Sequence, residues 1–143
     1  VGKGEAHYLK YLKLQSGKLG LDKTVKFWGF ATEQKKFELL AKSHFLINPS
    51  VREGWGLVVI EAALVGTPTI AYDVPGLKDS VLDGKTGKLC QPDPNSAAEA
   101  ILSVINDEKK YRLFRQYCLK WSRKFTWKKS VKESLKLISS LDR

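Results

Sequence analysis

Short apolar runs alternate with helical periodicity along most of this chain. Val25 to Trp28, His44 to Asn48 and Thr69 to Tyr72 read as strands, closed in turn by Gly29, Pro49 and the turn from Val74 to Gly76. A further run, Lys88 to Cys90, follows the turn signals Asp83-Gly84 and Thr86-Gly87. Between the runs, a helical pattern extends from Glu5 to about Gln15, and Thr32 caps a second helix through Ser43. Leu57 to Val65 is apolar except for Glu61, and Gly66 and Pro68 end it. Strands that are apolar throughout are buried on both faces of a parallel sheet, and their alternation with helices marks a doubly wound α/β fold. The expected architecture is therefore a Rossmann-like parallel sheet with a helical C-terminus.

The C-terminal part reads as three helices. Ser96 and Glu99 have capping-box spacing and open a helix to about Asn106. A second runs from about Glu108 to Ser122, and Thr126 caps a third with Trp127, Val131, Leu135 and Ile138 on one face. The expected division is a nucleotide-binding part, residues 1–125, and a C-terminal helix, residues 126–143. Charge divides more sharply. Residues 1–107 carry 13 Lys/Arg against 12 Asp/Glu, whereas 108–143 carry 12 against 3, nearly all of the chain's net +10. That split argues against reading the whole domain as a nucleic-acid binder. No apolar run reaches the roughly 18 residues needed to span a bilayer. Cys90 and Cys118 are too few for a disulfide framework and lack metal-ligand spacing, so no metal is expected. The chain starts at Val1 without a methionine, and the expectation is a segment of a longer protein.

Doubly wound sheets bind ligands beyond the carboxyl ends of their strands, which directs attention to the loops after Trp28, Asn48 and Tyr72. After Asn48 a glycine-bearing loop leads into an apolar helix near Gly56 or Leu57. Backbone N–H groups at such a helix start attract a phosphate or other anion. Gly54 and Gly56 let a ligand approach the main chain closely. Glu61 is the single charge in its helix and needs donors there: ligand hydroxyls, or a lysine from another helix. Glu53 stands at the helix mouth, as a ligand group or as a solvated loop residue. Two carboxylates flanking an anion-accepting helix start would suit a sugar-bearing diphosphate.

EGWGLVVIE, from Glu53 to Glu61, resembles the two-glutamate signature of retaining GT-B glycosyltransferases, family 4 above all, in which seven residues separate the glutamates. Val1 to Glu5 resembles the family's glycine pair before a helix, and Val25 to Gly29 its next strand and glycine. Asn48-Pro49-Ser50 resembles the Pro-Ser before the signature, Gly66 to Ile70 the strand after it, and Asp83 to Gly87 the DGxTG turn. Phe125 to Trp127 resembles the start of the last helix. The ordered set covers nearly the whole chain.

The resemblance implies the C-terminal, donor-binding domain of a metal-independent hexosyltransferase, without its first strand–helix unit and without the acceptor-binding N-terminal domain. Such a segment would be inactive alone. Glu53 would take the catalytic position by the donor sugar, and Gly54, Trp55, Gly56 and Leu57 would face sugar and diphosphate, with Ser50 beside them. Glu61 would hold the ribose, and Gly29 and Phe30 would lie by the base. No cofactor is implied; the substrate would be a UDP-, GDP- or ADP-sugar, and the acceptor a saccharide, a lipid-linked molecule or another. The family's Gly-Gly then Glu in the following loop is here Pro75-Gly76 and Asp79, which leaves the sugar open.

His7 and His44 have no partner at metal or triad spacing, and Lys85 lacks the upstream glycine of a P-loop. Trp28, Trp121 and Trp127 read as core residues. The basic C-terminal helices admit three readings: a solvated face, attraction to an anionic membrane surface, or nucleic-acid docking, for which no motif is present. A cytoplasmic enzyme, free or peripheral at a membrane, is the expectation. The alternative is a basic docking module with a vestigial sugar-nucleotide site, and a sugar-nucleotide epimerase is disfavoured by the signature.

Overall fold

The computed structural model describes residues 2–141. Val1 of the glycine-pair segment, and Asp142 and Arg143 of the expected C-terminal helix, lie outside the described residues. The chain forms two compact units, Val1–Leu39 and Leu40–Arg143.

In the first unit, α1 spans Ala6–Lys18, three residues beyond the expected end. α2 spans Glu33–Lys42 and the unit boundary falls inside it. Its start is capped as expected, with Lys35 N–H donating to Thr32 Oγ1 at 3.2 Å. The run Val25 to Trp28 departs from expectation. It pairs with no strand among the described residues. A β-rich composition makes a strand only where a neighbour supplies a ladder, and here the Val25 N–H turns back to the Leu21 carbonyl at 2.8 Å. One main-chain bond, Gly2 N–H to Gly29 O at 2.7 Å, ties the glycine segment to the end of this run.

The second unit is built on three parallel strands in the order β1 (Leu46–Asn48), β2 (Thr69–Tyr72), β3 (Gly87–Cys90). Leu46 pairs with Thr69, and Thr69 with Gly87. α3 (Leu57–Leu64) connects β1 to β2, and the short α4 (Leu77–Ser80) lies between β2 and β3. α5 (Pro94–Ile105), α6 (Glu108–Ser122) and α7 (Trp127–Leu141) follow. α3 packs against α6, and α5 against β2, β3 and α6. Val59, Ala71, Leu77 and Val81 form the buried centre, with Leu46, Val74 and Leu89 against it. Fully burying side chains such as Ile70, Leu77 and Val81 contributes about 1.5–3 kcal/mol each. The α/β class and parallel sheet are as expected.

Two motif threonines act on the main chain. Thr67 Oγ1 donates to the Leu40 carbonyl at 2.7 Å, and Thr86 Oγ1 accepts from the Leu82 N–H at 2.8 Å. Two further readings are corrected. α5 is capped by Asp93, whose carboxylate accepts from the Asn95 and Ser96 N–H groups, and Pro94 occupies the first turn; Ser96 is already helical. Trp127 is 88% exposed, and none of α7 is buried, although its apolar residues keep the expected spacing. No helix among the described residues is long and apolar enough to cross a membrane.

Candidate functional site

β1 and β2 are adjacent and parallel, so the loops that leave them, from Pro49 and from Asp73, emerge at the same carboxyl edge of the sheet. Asn48, buried at the end of β1, shapes the first loop: its Oδ1 accepts from the Ser50 N–H at 3.2 Å. Ser50 and Glu53 are half-buried, and Gly54 is exposed. Glu53 Oε1 accepts from the Gly54 N–H at 3.2 Å, which turns the carboxylate back along its own loop.

The loop enters α3 through Gly56, with φ 78° in the left-handed region. A side chain there would collide with Leu77, whose Cδ2 would lie 2.9 Å from the added Cβ. The left-handed conformation therefore favours glycine, and a side chain would also have to push the Leu77 methyl aside. No side chain caps α3, which leaves its start available to an external acceptor. Leu57 is 70% exposed, and Glu61 stands one turn further on the same face, half-buried.

Ser50, the segment Glu53 to Leu57, and Glu61 thus form one continuous loop–helix unit at the sheet edge. Trp55 has a structural partner: its ring meets that of Phe125 edge-on with centroids 4.8 Å apart. Phe125 meets Trp121 at 4.9 Å, and the Trp121 Nε1–H donates to the Ser80 carbonyl at 2.9 Å. Phe125 and Trp121 therefore brace the loop and α4, a role that composition and spacing did not reveal. The available signal was the clustering of aromatic residues around the end of α6.

In the first unit, Gly29 has φ 64° and Phe30 is 69% exposed. Both line a cleft of about 740 Å³ together with Gly2, Gly4, Tyr8 and Trp28. Lys3 Nζ lies 5.1 Å from the Phe30 ring centroid and Lys26 Nζ 4.1 Å from that of Trp28, so the cleft is aromatic with cations at its wall. A smaller cleft of about 390 Å³ lies between β3 and α5, lined by Asp73, Cys90 and Glu99, and includes none of the expected site residues.

The remaining reactive side chains are quiet. Burial pushes the Cys118 thiol up to about 12, with Arg115 opposing, and its Sγ donates to the Thr86 carbonyl. Burial, then Asp93 and Asp73, raises Cys90 as well. His7 is an exposed partner of Glu5, and His44 is exposed. Among the described residues, no group of three or more His, Cys, Asp or Glu side chains is placed to hold a metal ion.

Residues 1–121 match the family described as glycosyl transferases group 1. A D-inositol 3-phosphate glycosyltransferase of Corynebacterium urealyticum is 27% identical over 133 residues, covering 92% of this chain and 31% of that protein. The uncharacterized glycosyltransferase MJ1178 of Methanocaldococcus jannaschii is 37% identical over 103 residues, 68% of this chain and 29% of its own length. Among solved structures, Alr3699/HepE of Anabaena, in complex with UDP and glucose, is similar with a TM-score of 0.88 and 29% identity, over 97% of this chain and 39% of that one. The chain spans about a third of the length of the curated relatives it matches. Its parallel sheet and flanking helices are those of a GT-B Rossmann-like domain. The chain belongs to the group 1 glycosyltransferases.

Proposed function

We propose that this chain binds the nucleotide-sugar donor of a retaining, metal-independent glycosyltransferase that moves a hexose to a saccharide, lipid-linked or other acceptor. The observation that carries this reading is the placement of Glu53 and Glu61 on either side of an uncapped helix start at the sheet edge. Main-chain N–H groups from Gly54 to Leu57 face the diphosphate, where hydrogen bonds to an ionised acceptor are roughly twice as strong as neutral ones. Glu61 accepts from the ribose hydroxyls and Glu53 from hydroxyls of the sugar near the reacting carbon; Ser50 and Trp55 shape the loop between them. UDP-sugars head the candidate donors, because HepE was solved with UDP and glucose; GDP- and ADP-sugars are the alternatives. An acceptor domain supplied by further chain completes the enzyme, and this segment alone is inactive. Titration of UDP, GDP and ADP into the protein at its natural length tests the reading. One of the three binds, and Glu61→Ala weakens it; binding of none, or no effect of Glu61→Ala, overturns the assignment.

A second, compatible reading concerns location. α7 exposes Trp127, Val131, Leu135 and Ile138 along one stripe, while Lys128, Lys129, Lys132 and Lys136 outnumber Glu133 on the rest of the helix. A basic helix with an apolar stripe lies in the interface of an anionic membrane, and each lysine near such a surface is worth about 1 kcal/mol. The enzyme would then be cytoplasmic and peripheral at the membrane. Cosedimentation with phosphatidylserine-containing vesicles should be seen at low salt and fade as salt rises. Absence of binding at low salt removes this reading.

A further inference from the structure

The Glu53 loop is held from below by a turn that follows the neighbouring strand. Gly76, at the entry to α4, has φ 85°. A Cβ built there would lie 2.7 Å from the Gly54 carbonyl oxygen and closer still to that of Glu53. Side chains do not approach carbonyl oxygens so closely. Any residue but glycine would displace the Glu53–Gly54 main chain, or the turn, by roughly 1 Å. The turn is the better anchored of the two. Leu77 and Ser80 are fully buried, Leu77 also abuts Gly56, and Trp121 holds the Ser80 carbonyl. The loop, with Gly54 exposed, is the part that yields.

We propose that Gly76 is a positioning residue: its missing side chain sets the height of the Glu53–Gly54 segment and so the place of the Glu53 carboxylate against the donor sugar. The last clause rests on the reading of Glu53 given above. A misplacement of about 1 Å can cost on the order of a hundredfold where geometry controls binding or reaction.

Gly76→Ala tests this in the protein at its natural length, with Gly84→Ala as control. Gly84 has φ 71° and open space around its Cβ position, so it carries the same left-handed penalty without a collision. Gly76→Ala should weaken UDP-glucose relative to UDP by about tenfold or more, leave UDP itself nearly unchanged, and speed amide exchange in residues 50–57. Gly84→Ala should do none of these. A Gly76→Ala protein that matches Gly84→Ala in both affinity ratio and exchange overturns the proposal. If the parent protein binds neither UDP nor UDP-glucose, the donor reading of Glu53 fails, and the exchange comparison alone decides whether Gly76 positions the loop. Should Gly76→Ala not fold, Trp121→Phe, which loosens the same turn without a collision, must move the affinity ratio in the same direction. An unchanged ratio there overturns the proposal.

Discussion

The indole N–H of Trp121 donates to the carbonyl of Ser80 at 2.9 Å, joining the end of α6 to a turn 41 residues earlier in the sequence. Ser80 is fully buried, so its carbonyl has no solvent to turn to if the donor is lost. Trp121→Phe keeps an aromatic ring beside Phe125 while removing the donor together with part of the indole's packing. It should destabilise the chain by about 1–3 kcal/mol. The check is a lower urea midpoint with an unchanged denaturant slope.

Asp83 links the DGKTG turn to β3: Oδ1 accepts from the Leu89 N–H at 2.8 Å, and Oδ2 from Lys88 Nζ at 3.0 Å. Burial pushes its carboxyl upward, but the Leu89 amide and the Lys88 ammonium outweigh burial and hold it below the ordinary 3.8. Folding therefore favours the ionised form. The stabilisation is fully present above the unfolded carboxylate's value and is lost as the pH falls through the lowered folded one. Asp83→Asn should lower stability at neutral pH and flatten its decline as the pH falls below the ordinary carboxylate range. An identical acid limb in wild type and variant would contradict this.

Asp93 caps the start of α5, and Ser96 bonds to it from within the first turn. Ser96 side-chain and main-chain hydrogen bonds lower the Asp93 carboxyl, and its oxygen satisfies two helix N–H groups. Asp93→Ala should lower the melting temperature more than Ser96→Ala does. Equal shifts would return the cap to Ser96.

Cys118 is buried with its thiol pushed up to about 12. The thiolate is the reacting species, so Cys118 should resist maleimide at pH 8 in the native protein and react only on unfolding. Half-buried Cys90 should label faster. Loss of protein function on native labelling of Cys118 would contradict its structural role.

Legibility in the sequence followed the range of the interaction. β2 is legible to the residue because Pro68 and the turn at Val74 bracket an apolar run. α6 was equally clear from its periodicity. Glu53 and Glu61 stood out because a lone charge on an apolar helix and a carboxylate beside glycines are local anomalies. Val25 to Trp28 has strand composition, but pairing depends on a neighbour that its own residues do not reveal. Ser96 matched a capping box, yet Asp93 followed by Pro94 fits the helix start better. Trp127 showed periodicity, which says which residues share a face and not what covers it. The support of the loop by Gly76 and Trp121 was invisible for the same reason, since both act across contacts distant in sequence.

The donor site itself is open to a direct reading by amide chemical shifts. UDP and then UDP-glucose are added to the isotopically labelled protein at its natural length, with Glu61→Ala in parallel. The expected result is perturbation concentrated at Gly54 to Leu57 and at Glu61, an additional change at Glu53 with the sugar present, and loss of the pattern in Glu61→Ala. Perturbation confined to the cleft of Asp73, Cys90 and Glu99, or a pattern indifferent to Glu61→Ala, would contradict the placement of the donor at this loop and helix.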